Sequence, residues 1–158
     1  MFSTLCQIPI GRLVAKWPPR RIGQNSQRLK EIPGVGPVTA TALIAAVGNA
    51  SAFGKGRKLS AWMGIVPGEY TTGGKQKLLG ISKRGNKYLR RLFIQGARSV
   101  LQQRHQQAPG LSEWLAQLLA RTHQNVVVVA LAHKLVRMSW AVLCKNERYR
   151  APVFKGTA

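Results

Sequence analysis

Aspartate is missing from this chain altogether, and its only carboxylate side chains are those of Glu31, Glu69, Glu113 and Glu147. The four are scattered, and no two stand at helical spacing. Neighbouring positions therefore cannot supply the clustered acids that hold two catalytic cations for phosphoryl transfer. Cysteine is almost as scarce: Cys6 and Cys144 make no disulfide framework, which fits a reducing compartment. His105, His123 and His133 stand at no zinc-ligand spacing from either cysteine, so no metal and no cofactor is expected of these residues. The imidazoles read as surface or helix-packing groups, and Cys144, on an apolar helix, as a small core residue. Long apolar runs are absent too. The longest, over 126–131, falls well short of the roughly 20 residues that cross a bilayer. The weakly apolar start, 2–10, is interrupted by Pro9 and shows no cleavage site for a signal peptide. No membrane partner is expected.

What is present is positive charge. Lys and Arg number 25 against 4 acids, for a net charge of +21 in 158 residues, and the isoelectric point is near 11.6. A hydrophobic content of 45% excludes a disordered basic tail and is enough to bury a core. Such a surplus on a folded domain implies a polyanion, and nucleic acid is the polyanion whose counterion release rewards it.

Along the chain, residues 1–24 read as a basic arm, punctuated by Pro9, Gly11, Pro18, Pro19 and Gly23, with Pro18-Pro19 forbidding a continuous helix. Residues 25–149 read as one mainly α domain, and 150–158 as a tail. Within the domain, a helix from Asn25 stops before Pro33. A second begins after Pro37 and ends at Gly48-Asn49. With Leu29, Ile32, Val35, Ala40, Leu43 and Ile44 as apolar anchors, 25–48 fits a helix-hairpin-helix unit. In such a unit Gly34, Val35 and Gly36 offer backbone N–H groups to a phosphate. A short helix over 57–63 ends at Gly64. Residues 64–86 carry six glycines (64, 68, 73, 74, 80 and 85) together with Pro67 and read as a long functional loop, with short strands at 65–66 and 78–81. A helical bundle follows. Its first helix, 86–103, has Leu89, Phe93, Gly96, Ala97 and Val100 on one face. The second, 111–120, has Ser112 placed to cap it. The third, 125–144, has Val129, His133, Val136, Trp140 and Leu143 as its buried stripe and Lys134 and Arg137 facing out.

The glycine loop is the candidate site. Lys75, Lys77, Lys83, Arg84, Lys87, Arg90 and Arg91 follow one another with no acid between Tyr70 and Ser112. Thr71 and Thr72 put hydroxyls beside Gly73-Gly74, where backbone approaches a phosphate closely. A hydroxyl there serves either as a nucleophile on phosphorus or as a phosphate hydrogen-bond donor. The residues alone favour the second. The expected geometry is a concave basic surface with the threonine hydroxyls at its floor.

Several motifs in one order carry a resemblance: residues 32–48, Leu59-Ser60-Ala61-Trp62-Met63-Gly64-Ile65-Val66-Pro67, Thr72-Gly73-Gly74-Lys75, and Gly80-Ile81-Ser82-Lys83-Arg84-Gly85-Asn86-Lys87-Tyr88-Leu89-Arg90. From about 25 to 149 the chain resembles the C-terminal domain of the IS-one-hundred-ten type insertion-sequence transposases, in particular their IS-eleven-eleven branch. The resemblance implies DNA cleavage and joining by a hydroxyl nucleophile. It also implies a nuclease domain whose acids hold the divalent metal, a coiled-coil linker, a structured guide RNA in some members, and oligomers. It places Thr71 where the family carries its serine, with Thr72 as the reserve, and gives Lys75, Arg84 and Arg90 to phosphate charge.

Threonine for serine, and the absence of an acid-rich segment before Asn25, lead to the expectation of a truncated or decayed copy, inactive alone, in the bacterial cytoplasm at the nucleoid. The expected partners are DNA, structured RNA, and an intact transposase or a second copy. The competing readings are a non-catalytic DNA or structured-RNA binder and a ribosomal-type RNA-binding protein. The match through 59–90 argues against the last.

Overall fold

The computed structural model describes residues 19–72 and 74–151, without the side chains of 19–22, Thr72 and 75–78. Most of the expected arm and tail, Cys6, Gly73, and the side chains of Thr72, Lys75 and Lys77 lie outside the described residues.

The first described helix starts on Pro19, half of the Pro18-Pro19 pair expected to forbid a continuous helix. Helix α1 spans Pro19–Lys30, six residues earlier than expected. Proline lacks only a donor that a first turn leaves unpaired, and its fixed φ suits that turn. The helix closes on tight bonds from Glu31 N–H to Arg28 O and from Ile32 N–H to Leu29 O. Gly34 then takes φ +78°. Helix α2 follows as Pro37–Val47, again with proline in its first turn, and Gly48 ends it at φ +61° with its N–H on the Ile44 carbonyl. All six anchors expected of this helix–turn–helix are buried.

Helix α3 spans Gly56–Trp62. Residues 64–86 are more ordered than a loop. Strands β1 (Pro67–Thr72) and β2 (Lys75–Ile81) form an antiparallel hairpin. Leu78–Ile81 lies in β2 as expected, whereas Ile65 and Val66 precede β1 rather than forming a strand. Thr72 pairs with Lys75 across a two-residue connection in which Gly74 has φ +76°, the geometry that lets a tight hairpin match strand twist.

Helix α4 (Lys87–Gln102) is capped by the Asn86 side chain, which accepts from Leu89 N–H at 3.0 Å. A 3-10 turn (Arg104–Gln106) leads to α5 (Pro109–Arg121). Ser112 does not cap α5: the helix starts three residues earlier, and the Ser112 hydroxyl donates to Pro109 O. Helix α6 (Gln124–Lys145) is capped by the imidazole of His123, whose Nδ1 accepts from Asn125 N–H.

Helix α6 is the centre of the fold, packing against α1, α3, α4 and α5, while α4 also holds α2. Its buried side is Val127, Val128, Leu131, Ala132, Leu135, Val136, Ser139, Val142 and Leu143. This corrects the expected stripe. Val136 and Leu143 are buried, but Val129, His133 and Trp140 are only half-buried and Cys144 is exposed. The helix is apolar on most of its circumference, so periodicity alone allows two phases. Contact with α4 and α3 selects one. Among the described helices α6 alone has the length and composition to cross a membrane, and about half of that stretch is buried inside the fold.

Candidate nucleic-acid interface

Two glycines hold the cationic segment in place. Gly64 has φ +71° and Gly85 φ +112°. A Cβ on Gly64 would overlap the Arg84 carbonyl, and one on Gly85 would overlap the Trp62 carbonyl. Backbone therefore lies directly on backbone where α3 ends. Ser82 N–H donates to Val66 O at 2.9 Å, Lys83 N–H to Gly64 O at 3.1 Å, and Asn86 N–H to Trp62 O at 3.4 Å. Lys83 takes φ +54°, an uncommon conformation for a residue with a side chain. This clamp carries the chain from β2 into the first turn of α4.

The result is an exposed run of charge. Lys83, Arg84, Lys87 and Arg91 are all solvent-exposed on one turn and the helix start that follows it. No acid stands in the first turn of α4. Cations at that end oppose the helix dipole, whose positive end favours anions. A bound phosphate would relieve both this opposition and the repulsion among the four side chains. Arg90 is placed differently. It is half-buried, and its Nη1 donates to Met63 O at 2.9 Å, tying the C-terminus of α3 to α4.

The hairpin projects beside this run and touches the helices little. Tyr70 and Thr71 are exposed, so the expected concave floor is not what the threonine occupies. Its hydroxyl instead donates to Oε1 of Glu69 at 2.9 Å. Residues two apart on a strand share a face, which is why Glu69 and Thr71 meet once β1 exists. Glu69 is the residue that sequence reading passed over; a Glu-x-Thr pattern beside a Gly-Gly turn was the available signal.

The third region, Gly34-Val35-Gly36, stands apart. Val35 is core, and its N–H is already on Ile32 O at 3.0 Å. Gly34 faces α4: a Cβ there would come 2.7 Å from both Gly96 O and the Val100 side chain. Only Gly36, the N-cap of α2, is open, with nothing near it and no side chain capping the helix. Gly96 lies nine positions along α4 from Lys87, about 14 Å of helix. The structure thus joins Lys83, Arg84, Lys87 and Arg91 into one patch and leaves the α1–α2 turn as another.

Fold and surface together define a mainly helical, strongly basic domain with an exposed hairpin preceding a run of exposed cations. The chain belongs to the Transposase IS116/IS110/IS902 family, whose pattern matches residues 26–112. It is similar to a probable family 20 transposase of Pseudomonas aeruginosa, at 47% identity over 124 residues, which are 78% of this chain and 37% of that protein. It is similar also to the transposase for insertion sequence element IS1328 of Yersinia enterocolitica, at 46% over 119 residues (75% and 36%). A third relative is the transposase for insertion sequence element IS1111A of Coxiella burnetii, at 43% over 130 residues (82% and 36%). The chain spans little more than a third of the length of these relatives.

Proposed function

We propose that this chain is the DNA-handling C-terminal part of an insertion-sequence transposase, binding duplex phosphates along Lys83, Arg84, Lys87 and Arg91 and presenting Thr71 to the backbone. The observation that carries the reading is the clamp of Gly64 and Gly85, which sets four exposed cations at the positive end of α4 beside the hydroxyl-bearing hairpin. Lys75 and Lys77 stand on β2 at the register positions opposite Thr72 and Tyr70. Gly36 and the free amides that open α2 supply a second phosphate contact.

Thr71 is the proposed nucleophile, and its bond to Glu69 supports that carboxylate as the proton acceptor while the threonine oxygen attacks phosphorus. The P–O bond to one DNA strand breaks in the same exchange, and that strand's oxygen leaves as a free hydroxyl after taking a proton from water. Thr72 remains the reserve. The methyl group of threonine crowds an in-line attack, and the Glu69 charge repels the incoming phosphate. Alone, the chain therefore binds rather than cleaves. The described residues do not fit a divalent metal, since no three His, Cys, Asp or Glu side chains among them come together, and no step is routed through one. Structured RNA, an intact transposase and a second copy are the further partners of this reading, in the bacterial cytoplasm.

The test is duplex binding across a salt series, then incubation with supercoiled DNA and a search for a covalent protein–DNA adduct. Four phosphate contacts at about −0.9 each give a slope of log K against log salt near −4. Removing Lys83 and Arg84 together halves it. Absence of duplex binding at low salt refutes the reading. An adduct from the native chain refutes the inactive part of it, and an adduct from Thr71→Ser alone identifies the site.

A further inference from the structure

A second basic surface runs along α6, where Val129, His133 and Trp140, assigned to the core by periodicity, lie beside Lys134 and Arg137, which were expected to face out. It is an open groove of about 1030 Å³ between α3, α5 and α6. Its cations are Lys55, Arg57, Lys134, Arg137, Lys145 and Arg150, and among the described residues no acid lines it. Lys83, Arg84, Lys87, Arg90 and Arg91 are not among the residues lining it. Its floor is apolar, with Val129, Ala130, Met138 and Ala141 along α6. Two indoles stand in it. Trp140 is fixed by donating Nε1–H to Phe53 O at 2.8 Å, and Trp114 has the Lys134 ammonium 4.1 Å from its ring centroid.

We propose that this groove binds a single strand of DNA, on a site separate from the duplex surface. Three features choose that occupant. The charge is uncompensated, so the ligand is anionic. At about 1030 Å³ the groove stands at the top of the roughly 300–1,000 Å³ range of small-molecule pockets and opens to solvent, which suits a polymer segment that runs through it. The floor combines apolar carbon with indole faces, which a duplex, with its bases stacked inside, leaves unused. Unpaired bases stack on such faces while the flanking cations follow the backbone.

Lys134 links the two halves of the site. Burial, then Arg137, lowers its pKa. Burial, followed by Arg137 and Arg57, likewise lowers that of His133 on the preceding position. The groove thus holds crowded, partly dehydrated positive charge. A phosphate draws the Lys134 ammonium outward and relieves this crowding, and the same movement frees the face of Trp114 for a base.

The experiment is fluorescence anisotropy with a labelled mixed-sequence DNA single strand of about 12 nucleotides, within the usual range of single-strand site sizes. Duplex binding is measured beside it. Trp114→Ala is expected to weaken single-strand binding about fivefold or more, the least that loss of one stacked base predicts. Arg137→Gln and Lys134→Gln, which keep the apolar stems and the fold, are expected to weaken it as well. All three variants should leave duplex affinity unchanged, and native tryptophan fluorescence should fall as the strand binds. Excess duplex should not displace the strand.

Failure to bind single-stranded DNA overturns the proposal while leaving the duplex reading intact. Full displacement by duplex, equal displacement by polyglutamate of matched charge, or tenfold tighter binding of an RNA strand of the same length each overturn it too. Loss of duplex binding by Lys83→Gln/Arg84→Gln with retention of the single strand supports two separate sites.

Discussion

Gly34 offers the sharpest test of which parts of the turn between α1 and α2 are structural. Its φ of +78° belongs to the left-handed region, which costs a residue with a Cβ about 1–2 kcal/mol. Space adds to that cost. A Cβ there would stand 2.7 Å from Gly96 O and 2.7 Å from the Val100 side chain, closer than carbon and oxygen or two carbons approach without repulsion. The reciprocal contact is equally tight, since a Cβ on Gly96 would overlap the Gly34 carbonyl. Neither neighbour yields easily: one is helix backbone, and the other is a buried core side chain. Overpacking of this kind adds about 1–3 kcal/mol, so Gly34→Ala is expected to destabilise the chain by about 2–5 kcal/mol.

Gly36 is the matched control. Its φ is −78°, and nothing lies within 4 Å of the position a Cβ would take. Gly36 is an N-cap, where glycine is preferred to alanine, so Gly36→Ala should cost no more than about 1 kcal/mol. Urea denaturation followed by circular dichroism reads both. With a slope near 2 kcal/mol per molar urea, Gly34→Ala moves the midpoint down by about 1–2.5 M, and Gly36→Ala by no more than about 0.5 M. A midpoint for Gly34→Ala within 0.3 M of native (about 0.6 kcal/mol) would refute the argument that this glycine exists to admit α4.

Arg90→Gln removes the bond to Met63 O and should cost about 1.5 kcal/mol in the same denaturation, while weakening duplex binding less than Arg91→Gln does. Glu69→Gln should act in opposite directions on two measurements. Duplex affinity rises because a negative charge leaves the phosphate's path, and adduct formation in a Thr71→Ser background falls about a hundredfold or more because the proton has lost its acceptor; an unchanged adduct yield removes Glu69 from the reaction. His133 is held below the usual 6.5 by burial, Arg137 and Arg57, and the other charged groups lining its groove, Lys55, Lys134, Lys145 and Arg150, are also cationic. Its contribution to stability is therefore complete above pH 6.5 and declines as pH falls below it, because the unfolded chain takes up the proton first. Thermal melts from pH 8 to pH 5 should show that decline, and His133→Gln should flatten it.

Local rules made much of the fold legible. The anchors of α1 and α2 and the buried face of α4 lie at helical spacing between glycine and proline punctuation, and those positions are the buried ones. The limits were set by contacts distant in sequence. Pro19 reads as a breaker only until a helix is known to follow it. Of the cations placed on the glycine loop and α4, the described ones separate by what their side chains do: Arg90 turns back to α3, while Lys83, Arg84, Lys87 and Arg91 are exposed. The Gly73-Gly74 pair flanked by strand-forming residues was a readable hairpin signal. With the hairpin in view, the shared face of Glu69 and Thr71 follows from the two-residue repeat.

Helix α6 shows why the second surface was legible only in its outward cations, Lys134 and Arg137. A helix polar on one side announces its buried face, but α6 carries valine, alanine, methionine and tryptophan on the side away from the core as well. That excess of apolar surface makes the same helix long and apolar enough to pass for a membrane span. Yet His133, Lys134 and Arg137 stand midway along it, where a bilayer would penalise charge heavily, and Arg57 and Lys55 arrive from α3 to face them. Neither a core nor a lipid surface explains apolar carbon interleaved with unpaired cations and held indoles. A ligand that is itself both apolar and anionic does, and a nucleotide strand with its bases exposed has that character. If the groove instead stays empty in the presence of single-stranded DNA, the cations around α6 have no partner of this kind, and the second phase of its apolar pattern returns to being unexplained.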